Sequence, residues 1–477
     1  MSWGEYLQLA PIWVLNLGAI AVMLQITLRR GEGLARALTL LAFAAALALT
    51  VFPQGAGGPA GKLFVADPLG FFYLGLILVG GLAVTISCQG YFQHREKDAD
   101  EFYLLLLLAA AGAGIMAVSS HLISFYLGLE ILGVSLYGLI AYERENTRST
   151  EAAVKYLLMA AVTASFFLFG SALLYAQVGS LELAALSRAM QGGGGPVLLA
   201  GIAMLLVGAG FKLSLVPFHS WAPDVYEGAP LPIANFFSTV SKTAMIAFLL
   251  RLFAAGTSAG VTTALALLAI LSMLGGNLLA LRQQHAKRML AYSSSAHMGY
   301  ALLPLVAGGA GAAVATSAYM TAYVLTSLAA FGALTVLVAQ EPWRETEGGL
   351  DLRGLRHSHP WLCAVLGAAL LSLAGMPLTA GFVGKFIVMN MGVRGAAFWS
   401  LAALVIGSVL GAFYYLRLLI ETFEPAPAGH EVKAAVGQGR PWFGFTLLAV
   451  LAVSLVGLGL FPEKAFTALA ALLAGQP

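Results

Sequence analysis

Runs of about 20 apolar residues recur from one end of this chain to the other, and that is the length an α-helix needs to cross the hydrocarbon of a bilayer. Fourteen such runs lie near 12–28, 34–52, 68–90, 102–119, 121–141, 152–176, 197–217, 231–254, 260–281, 289–307, 312–338, 360–390, 399–422 and 441–461. With 60% hydrophobic and 10% charged residues among 477, no water-soluble domain could carry this surface without aggregating. The expected fold is therefore an all-α polytopic membrane protein of about 14 transmembrane helices, one integral membrane domain over 1–477. Within it we expect an N-terminal three-helix segment (1–100), two five-helix units (101–255 and 256–423) and a C-terminal loop with a last helix (424–477).

Charge fixes the orientation. Alternating the loops puts Arg29, Arg30, Arg36, Arg95, Lys97, Arg144, Arg148, Arg282, Lys287, Arg288, Arg344, Arg353, Arg356, Lys433 and Arg440 on one side, and only Lys62, Arg188, Arg394 and Lys464 on the other. This positive-inside asymmetry supports the helix count, since one missed span would scramble the sides, and it predicts both termini on the periplasmic face. Residues 1–8 hold Glu5 and no Lys or Arg, so the first run reads as a retained span rather than a cleaved leader. The two cysteines, Cys88 and Cys363, supply neither a disulfide framework nor a metal or iron–sulfur ligand set. The net charge of +3 carries no basic cluster interleaved with aromatics, which argues against nucleic acid as a partner.

Six basic residues remain inside the spans: Lys155, Lys212, Lys242, Arg251, Lys385 and Arg417. Arg251 and Arg417 fall near helix ends, where anchoring at the membrane surface is expected. The four lysines have one deeply placed acidic companion, Glu130. Each such group costs roughly 2.5–3.5 kcal/mol at the helix centre, on the order of 10–17 kcal/mol for all five, so they must be paired, hydrated or neutral. One carboxylate does not pair with four lysines, which favours proton transfer over static packing.

Polar faces accompany these charges. At helical spacing Glu130 shares a face with Tyr126, Gly133 and Tyr137, and Lys242 with Asn235, Ser238 and Thr239. His297 lies alongside Ser293, Ser294 and Tyr300, and Thr316, Tyr319, Tyr323 and Thr326 form a stripe on the next span. Such hydroxyls hold a water chain or make ordinary interhelical hydrogen bonds; the pattern alone leaves both open. A lysine in a low-dielectric site loses its proton more readily and a nearby carboxylate reverses this, so Glu130 moving between Lys155 and freer states is expected to act on Lys212.

Two spans are broken. Pro217 in L-S-L-V-P-F-H (213–219) and Gly375-Met376-Pro377 in L-S-L-A-G-M-P-L-T (371–379) each free backbone groups that in lipid need protein, water or an ion. A lysine stands by each break, Lys212 before the first and Lys385 after the second. Spans seven and twelve hold the same place in the runs four to eight and nine to thirteen, which predicts two five-helix repeats, inverted because five is odd.

The stretches G-F-K-L-S-L-V-P-F-H-S-W-A-P-D-V-Y-E-G-A-P (210–230), S-K-T-A (241–244), K-R-M-L-A-Y-S-S-S-A-H-M-G-Y (287–300) and H-L-I-S-F-Y-L-G-L-E (121–130) resemble the antiporter-like membrane subunits of complex I, related to the cation/proton antiporters of Mrp type. The D-V-Y-E-G-A-P stretch, Lys242 and Lys385 look like the N-type branch; the M-type usually has glutamate at the last position, and the L-type has a long C-terminal extension. The resemblance implies Glu130 and Lys155 as paired charges at an inter-subunit end, Lys212 as the broken-helix lysine, Lys242 as the central lysine and Lys385 as the exit-side lysine. His219 and His297 would assist transfer, with a structural hydrogen bond at the break as the other reading of His219. It implies no cofactor in this chain, with NAD, FMN, iron–sulfur clusters and quinone in other subunits. Its implied partners are M- and L-type antiporter-like subunits, K-, J-, A- and H-type subunits, the peripheral redox arm and membrane lipids, in a bacterial inner membrane. An Mrp-type antiporter subunit, an M-type subunit and a scaffold with purely structural charges are the competing readings.

Overall fold

In lipid a backbone must satisfy its own hydrogen bonds, and apolar runs without strand alternation do so as helices. The computed structural model describes residues 7–51, 58–93, 99–191, 195–309, 311–346, 349–425 and 442–473. Arg95, Lys97, Lys433, Arg440 and Glu5, used in the topology argument, lie outside these residues.

The first half holds α1 (Ala10–Leu28), α2 (Glu32–Val51), α3 (Pro68–Ser87), α4 (Asp100–Val118), α5 (Leu122–Ile140), α6 (Thr147–Val178), the short α7 (Leu183–Gln191), α8 (Pro196–Leu213), the short α9 (Ala222–Gly228) and α10 (Leu231–Leu252). The second half holds α11 (Ala259–Leu281), α12 (Ala286–Ala307), α13 (Ala312–Gln340), the single turn α14 (Leu355–Ser358), α15 (Pro360–Ala374), α16 (Ala380–Arg394), α17 (Phe398–Glu421), α18 (Trp442–Leu460) and α19 (Pro462–Leu473). Among the described residues twelve helices are long and apolar enough to cross a membrane. The two other expected spans correspond to α12, which is long but carries Lys287, Arg288, three serines and His297, and to the broken pair α15 and α16. Two small antiparallel ladders, Gly58–Ala60 with Phe64–Ala66 and Glu345–Thr346 with Gly349–Leu350, tie loops that hydropathy does not register.

The core is asymmetric. All of α10 but Arg251 is buried and α13 nearly so, whereas α6 and α18 turn most of their surface outward. On α6 the outward residues include Leu157, Leu158, Val162 and Phe169, an apolar face suited to lipid or to a neighbouring membrane protein. Inside, α11 packs on α12 and α17, and α13 on α15 and α16, so the polar helix α12 is wrapped by apolar ones.

One sequence expectation for an arginine changes. Arg251 does not reach for the membrane surface: its guanidinium is buried against the Asp67 carboxylate at 2.5 and 2.7 Å and donates to the Ala117 carbonyl at 3.1 Å. Asp67 also caps α3 by accepting from the Gly70 N–H, so one carboxylate joins the start of α3 to the end of α10. Arg417 is exposed, and it donates to the Leu281 and Gln283 carbonyls at the end of α11, where free carbonyls attract a cation. Lys287, counted as a loop charge, is buried and donates to the Ala229 carbonyl at 2.8 Å and to Glu345 at 2.9 Å.

Candidate proton-transfer site

The first break begins before its proline. α8 ends because Ser214 takes a left-handed conformation (φ 55°), its N–H returning to the Phe211 carbonyl and that of Leu215 to Gly210. Trp221 donates its indole N–H to the Phe211 carbonyl at 3.0 Å, and the Val216 N–H reaches Ser272 at 2.9 Å, so the freed backbone is held by protein on both sides. Lys212, in the last turn of α8, is thereby held inside the bundle. It donates to the Tyr156 hydroxyl at 3.0 Å.

Lys212 and Glu130 line one cleft of about 30 Å³, with Gly133, Tyr137, Tyr156, Thr163 and Phe167 among its walls. That is room for about one or two waters. Tyr126 and Tyr137 lie within electrostatic reach of Glu130, and the Tyr126 ring stacks on Phe167. The expected Glu130–Lys155 pair is not formed. Lys155 is 45% exposed and binds Glu151 at 2.7 Å and Asp224 at 2.8 Å, because its place near the start of α6 lets the ammonium reach the carboxylates of α9 and of its own first turns. It is thus not a buried span lysine. Asp224 also takes Arg288 at 2.8 Å. It lies outside the spanning segments; partial burial pushes its carboxyl up, but Lys155 and Arg288 outweigh this and hold it below its ordinary range.

Lys242 sits at the centre. A turn of π-helix, Phe237–Ser241, precedes it, and Ser238 and Thr239 both donate to the Asn235 carbonyl, at 2.8 and 2.7 Å. These two hydroxyls therefore support the bulge of α10. The Lys242 ammonium donates to Ser214 at 2.7 Å and to Ser294 at 2.6 Å. Ser294 in turn meets the Tyr323 hydroxyl at 2.6 Å. The break in α8 is thus tied directly to the central lysine, through a serine that sequence reasoning quoted but did not single out.

His297 follows on α12. Its Nδ1 lies 2.6 Å from the Tyr319 hydroxyl and its Nε2 3.0 Å from that of Tyr415, and its ring lies 5.2 Å from that of Tyr323. A small cavity of about 10 Å³ lined by His297, Tyr319, Tyr323, Thr326, Ser372 and Lys385 links it to the second break. There α15 ends at Gly375 (φ +83°), and Lys385 of α16 donates to the Leu373 and Ala374 carbonyls, both at 2.9 Å. Tyr300 lies with its ring centroid 5.3 Å from the Lys385 ammonium and its hydroxyl on Asn277. Thr326 meets Ser372 at 2.9 Å beside the break.

His219 is only half-buried in the first break, near the Tyr292 ring and the Pro217 backbone. The structure thus brings Glu130, Lys212, Lys242, His297 and Lys385 into one interior row with Tyr300, Tyr319 and Tyr323, and places Lys155 and His219 at its margin. Lys212, Lys242, Lys385 and His297 are 4, 1, 6 and 4% exposed. Among the described residues none of the three lysines has a carboxylate within ion-pair distance, and no cluster of three or more metal-ligating side chains occurs. Tyr156, Ser214, Asn277, Tyr414 and Tyr415 were missed. Ser214 and Tyr156 carried a signal, as immediate neighbours of quoted residues, whereas the two tyrosines on α17 sit in an apolar run with none.

A bundle of broken helices around a buried lysine row defines a membrane ion-transfer protein of antiporter type. Residues 119–411 match the family described as the NADH:quinone oxidoreductase/Mrp antiporter transmembrane domain, and the chain belongs to that family. It is 43% identical, over 95% of this chain and 94% of the relative, to the NADH-quinone oxidoreductase subunit N of Ectopseudomonas mendocina (strain ymp). A chain of respiratory complex I from Thermus thermophilus with bound aureothin superposes with a TM-score of 0.83 at 35% identity, covering 97% of this chain and 99% of that one. A chain of the Mrp complex from Dietzia sp. DQ12-45-1b shares the fold (TM-score 0.84) at 18% identity, covering 100% of this chain and 98% of that one.

Proposed function

We propose that this chain is the N-type membrane subunit of a proton-translocating NADH:quinone oxidoreductase and that protons cross it along the buried row from Glu130 and Lys212 through Lys242 and His297 to Lys385. The observation that carries the reading is the chemistry of the lysine partners. Buried ammonium groups held only by dipoles respond to any charge that changes nearby. The hydroxyls of Tyr156, Ser214 and Ser294 both give and accept, so Lys212 and Lys242 keep a hydrogen bond with or without the extra proton. At Lys385 two N–H groups serve two carbonyls, which leaves the third position for a proton or a lone pair.

Water completes the row in this reading. Asn235 Oδ1, Ser241 Oγ and Thr243 Oγ1 are buried without a hydrogen-bond partner among the described residues, and such atoms are ordinarily satisfied by ordered water. Glu130, half-buried beside the outward face of α5 and α6, is where a neighbouring subunit's charge enters the circuit. Quinone reduction elsewhere supplies the driving charge shift, with NAD, FMN, iron–sulfur clusters and quinone carried by other subunits. M- and L-type subunits and the K-, J-, A- and H-type subunits are the proposed membrane partners. The basic loops face the cytoplasm of an inner membrane, and the two five-helix halves form an inverted pair, a view supported by the matching positions of the two breaks.

The 43% relative supports this reading over an Mrp-type antiporter, for which the likeness is one of fold. Replacing Lys212 by Ala in the assembled complex is expected to reduce proton translocation at least about tenfold, as loss of a transfer group does. Reconstituted vesicles driven by NADH measure it. Normal pumping by an assembled variant refutes the residue assignment, and copurification with cation-antiporter subunits alone refutes the complex.

A further inference from the structure

His297 is the one group in the row whose two proton-carrying atoms face different helices. Its Nδ1 meets Tyr319 of α13, part of the row already described. Its Nε2 meets the hydroxyl of Tyr415 on α17, which also bonds Ser293, one turn before His297 on α12. All three side chains are buried. We propose that Tyr415 is a proton-relay residue, exchanging a proton between Ser293 and Nε2 of His297, so that the histidine works as a two-sided junction rather than a single stop. The inference rests on the proton path assigned above and adds a helix, α17, to it.

The step balances with hydroxyls alone. A proton arrives at Ser293 Oγ, the Ser293 hydroxyl proton passes to Tyr415 Oη, and the Tyr415 proton passes to Nε2. Meanwhile the Nδ1 proton moves to Tyr319 Oη and the Tyr319 proton leaves towards the cavity shared with Lys385. Every oxygen ends with the hydrogen count it began with, and His297 has exchanged one neutral tautomer for the other. For the step to repeat, the hydroxyls rotate and His297 returns to its Nδ1–H tautomer.

The surroundings of Tyr415 are built to hold it. The neighbouring Tyr414 lies 4.4 Å from it ring to ring and donates to Asn277 at 2.9 Å, and Asn277 donates to Tyr300 at 2.9 Å. Gly407 makes this approach feasible, since a Cβ there would stand 2.8 Å from the Tyr300 hydroxyl and 2.9 Å from the Asn277 amide. An amide does not readily relay protons, so Asn277 is a positioning residue that fixes α17 against α11 and α12. Tyr415 alone touches the histidine nitrogen from this side.

The test replaces Tyr415 by Phe in the complete complex, which removes only the hydroxyl, and follows the initial rate of NADH-driven proton translocation in vesicles, in light and heavy water. We expect a rate at least about threefold lower, less than the loss of a sole transfer group because Tyr319 still serves Nδ1, together with a larger solvent isotope effect. An assembled Tyr415→Phe complex with the parent rate and isotope effect overturns the proposal. If that variant does not assemble, Ser293→Ala decides, with the same expected slowing and the same refuting result. A His297→Gln complex runs in parallel. Should it pump normally, the path itself is wrong; should it alone be slowed, only the relay through Tyr415 is lost.

Discussion

The two helix breaks look alike in sequence and are built differently. At the first, the lysine precedes the break, and the freed backbone is taken up by Trp221 and Ser272, which leaves Lys212 on a tyrosine hydroxyl. At the second, the lysine follows the break and itself takes up the freed carbonyls of Leu373 and Ala374. One lysine is a guest in a finished structure; the other finishes it. The same residue type beside the same kind of interruption therefore has different obligations, and only the first is free to change partner at little structural cost.

That contrast is open to attack. The largest expected effect is Lys385→Met, which leaves two buried carbonyls bare and costs about 2–4 kcal/mol, against about 1–2 kcal/mol for Lys212→Met. Heat-induced dissociation of the complex in detergent, followed on native gels, measures both; equal losses erase the distinction. A smaller effect is expected at the turns. Gly375→Ala forces a side chain onto φ +83° and a Cβ 2.9 Å from the Lys385 stem, costing about 1–2 kcal/mol, while Ser214→Gly relieves its left-handed strain and loses the bond to Lys242. The alanine variant should therefore lose thermal stability and the glycine variant mainly proton flux, measured on the same preparations.

The smallest effect concerns the ion-pair cluster beside the first break. Asp224 is held below its ordinary 3.8 by Lys155 and Arg288, so its stabilising contribution is complete above that value and fades as pH falls through the lower value of the folded protein. The melting difference between the parent and Asp224→Asn should be constant at higher pH and shrink in acid. A difference that instead grows in acid contradicts the assigned sign.

Sequence reading reached the helices because hydropathy reports what lipid demands, and it located both breaks because proline and glycine leave few alternatives. It found Lys212, Lys242, His297 and Lys385 for a related reason: a charge or an imidazole in an apolar run is conspicuous. It failed where the signal depends on tertiary geometry. Lys155 falls within the same apolar count as the others, but its position near the helix start lets it reach Glu151 and Asp224 instead of the interior. Arg251 reads as a residue near a helix end, and nothing in its own segment announces Asp67, which lies 184 positions away. Ser238 and Thr239, in the polar stripe of Lys242, also brace a bulge of their own helix, which no periodicity announces.

The near-complete burial of α10 bears on how the chain is made. Its mean hydropathy, 1.4, is the lowest of the twelve spans, and it carries both Lys242 and Arg251. A segment of this kind gains little from lipid when it leaves the ribosome and is released into the membrane beside helices already there. Asp67 and Ser214 precede it in the chain, whereas Ser294 follows it on α12. The central lysine is thus held between one partner from the helix break before it and one from the polar helix after it.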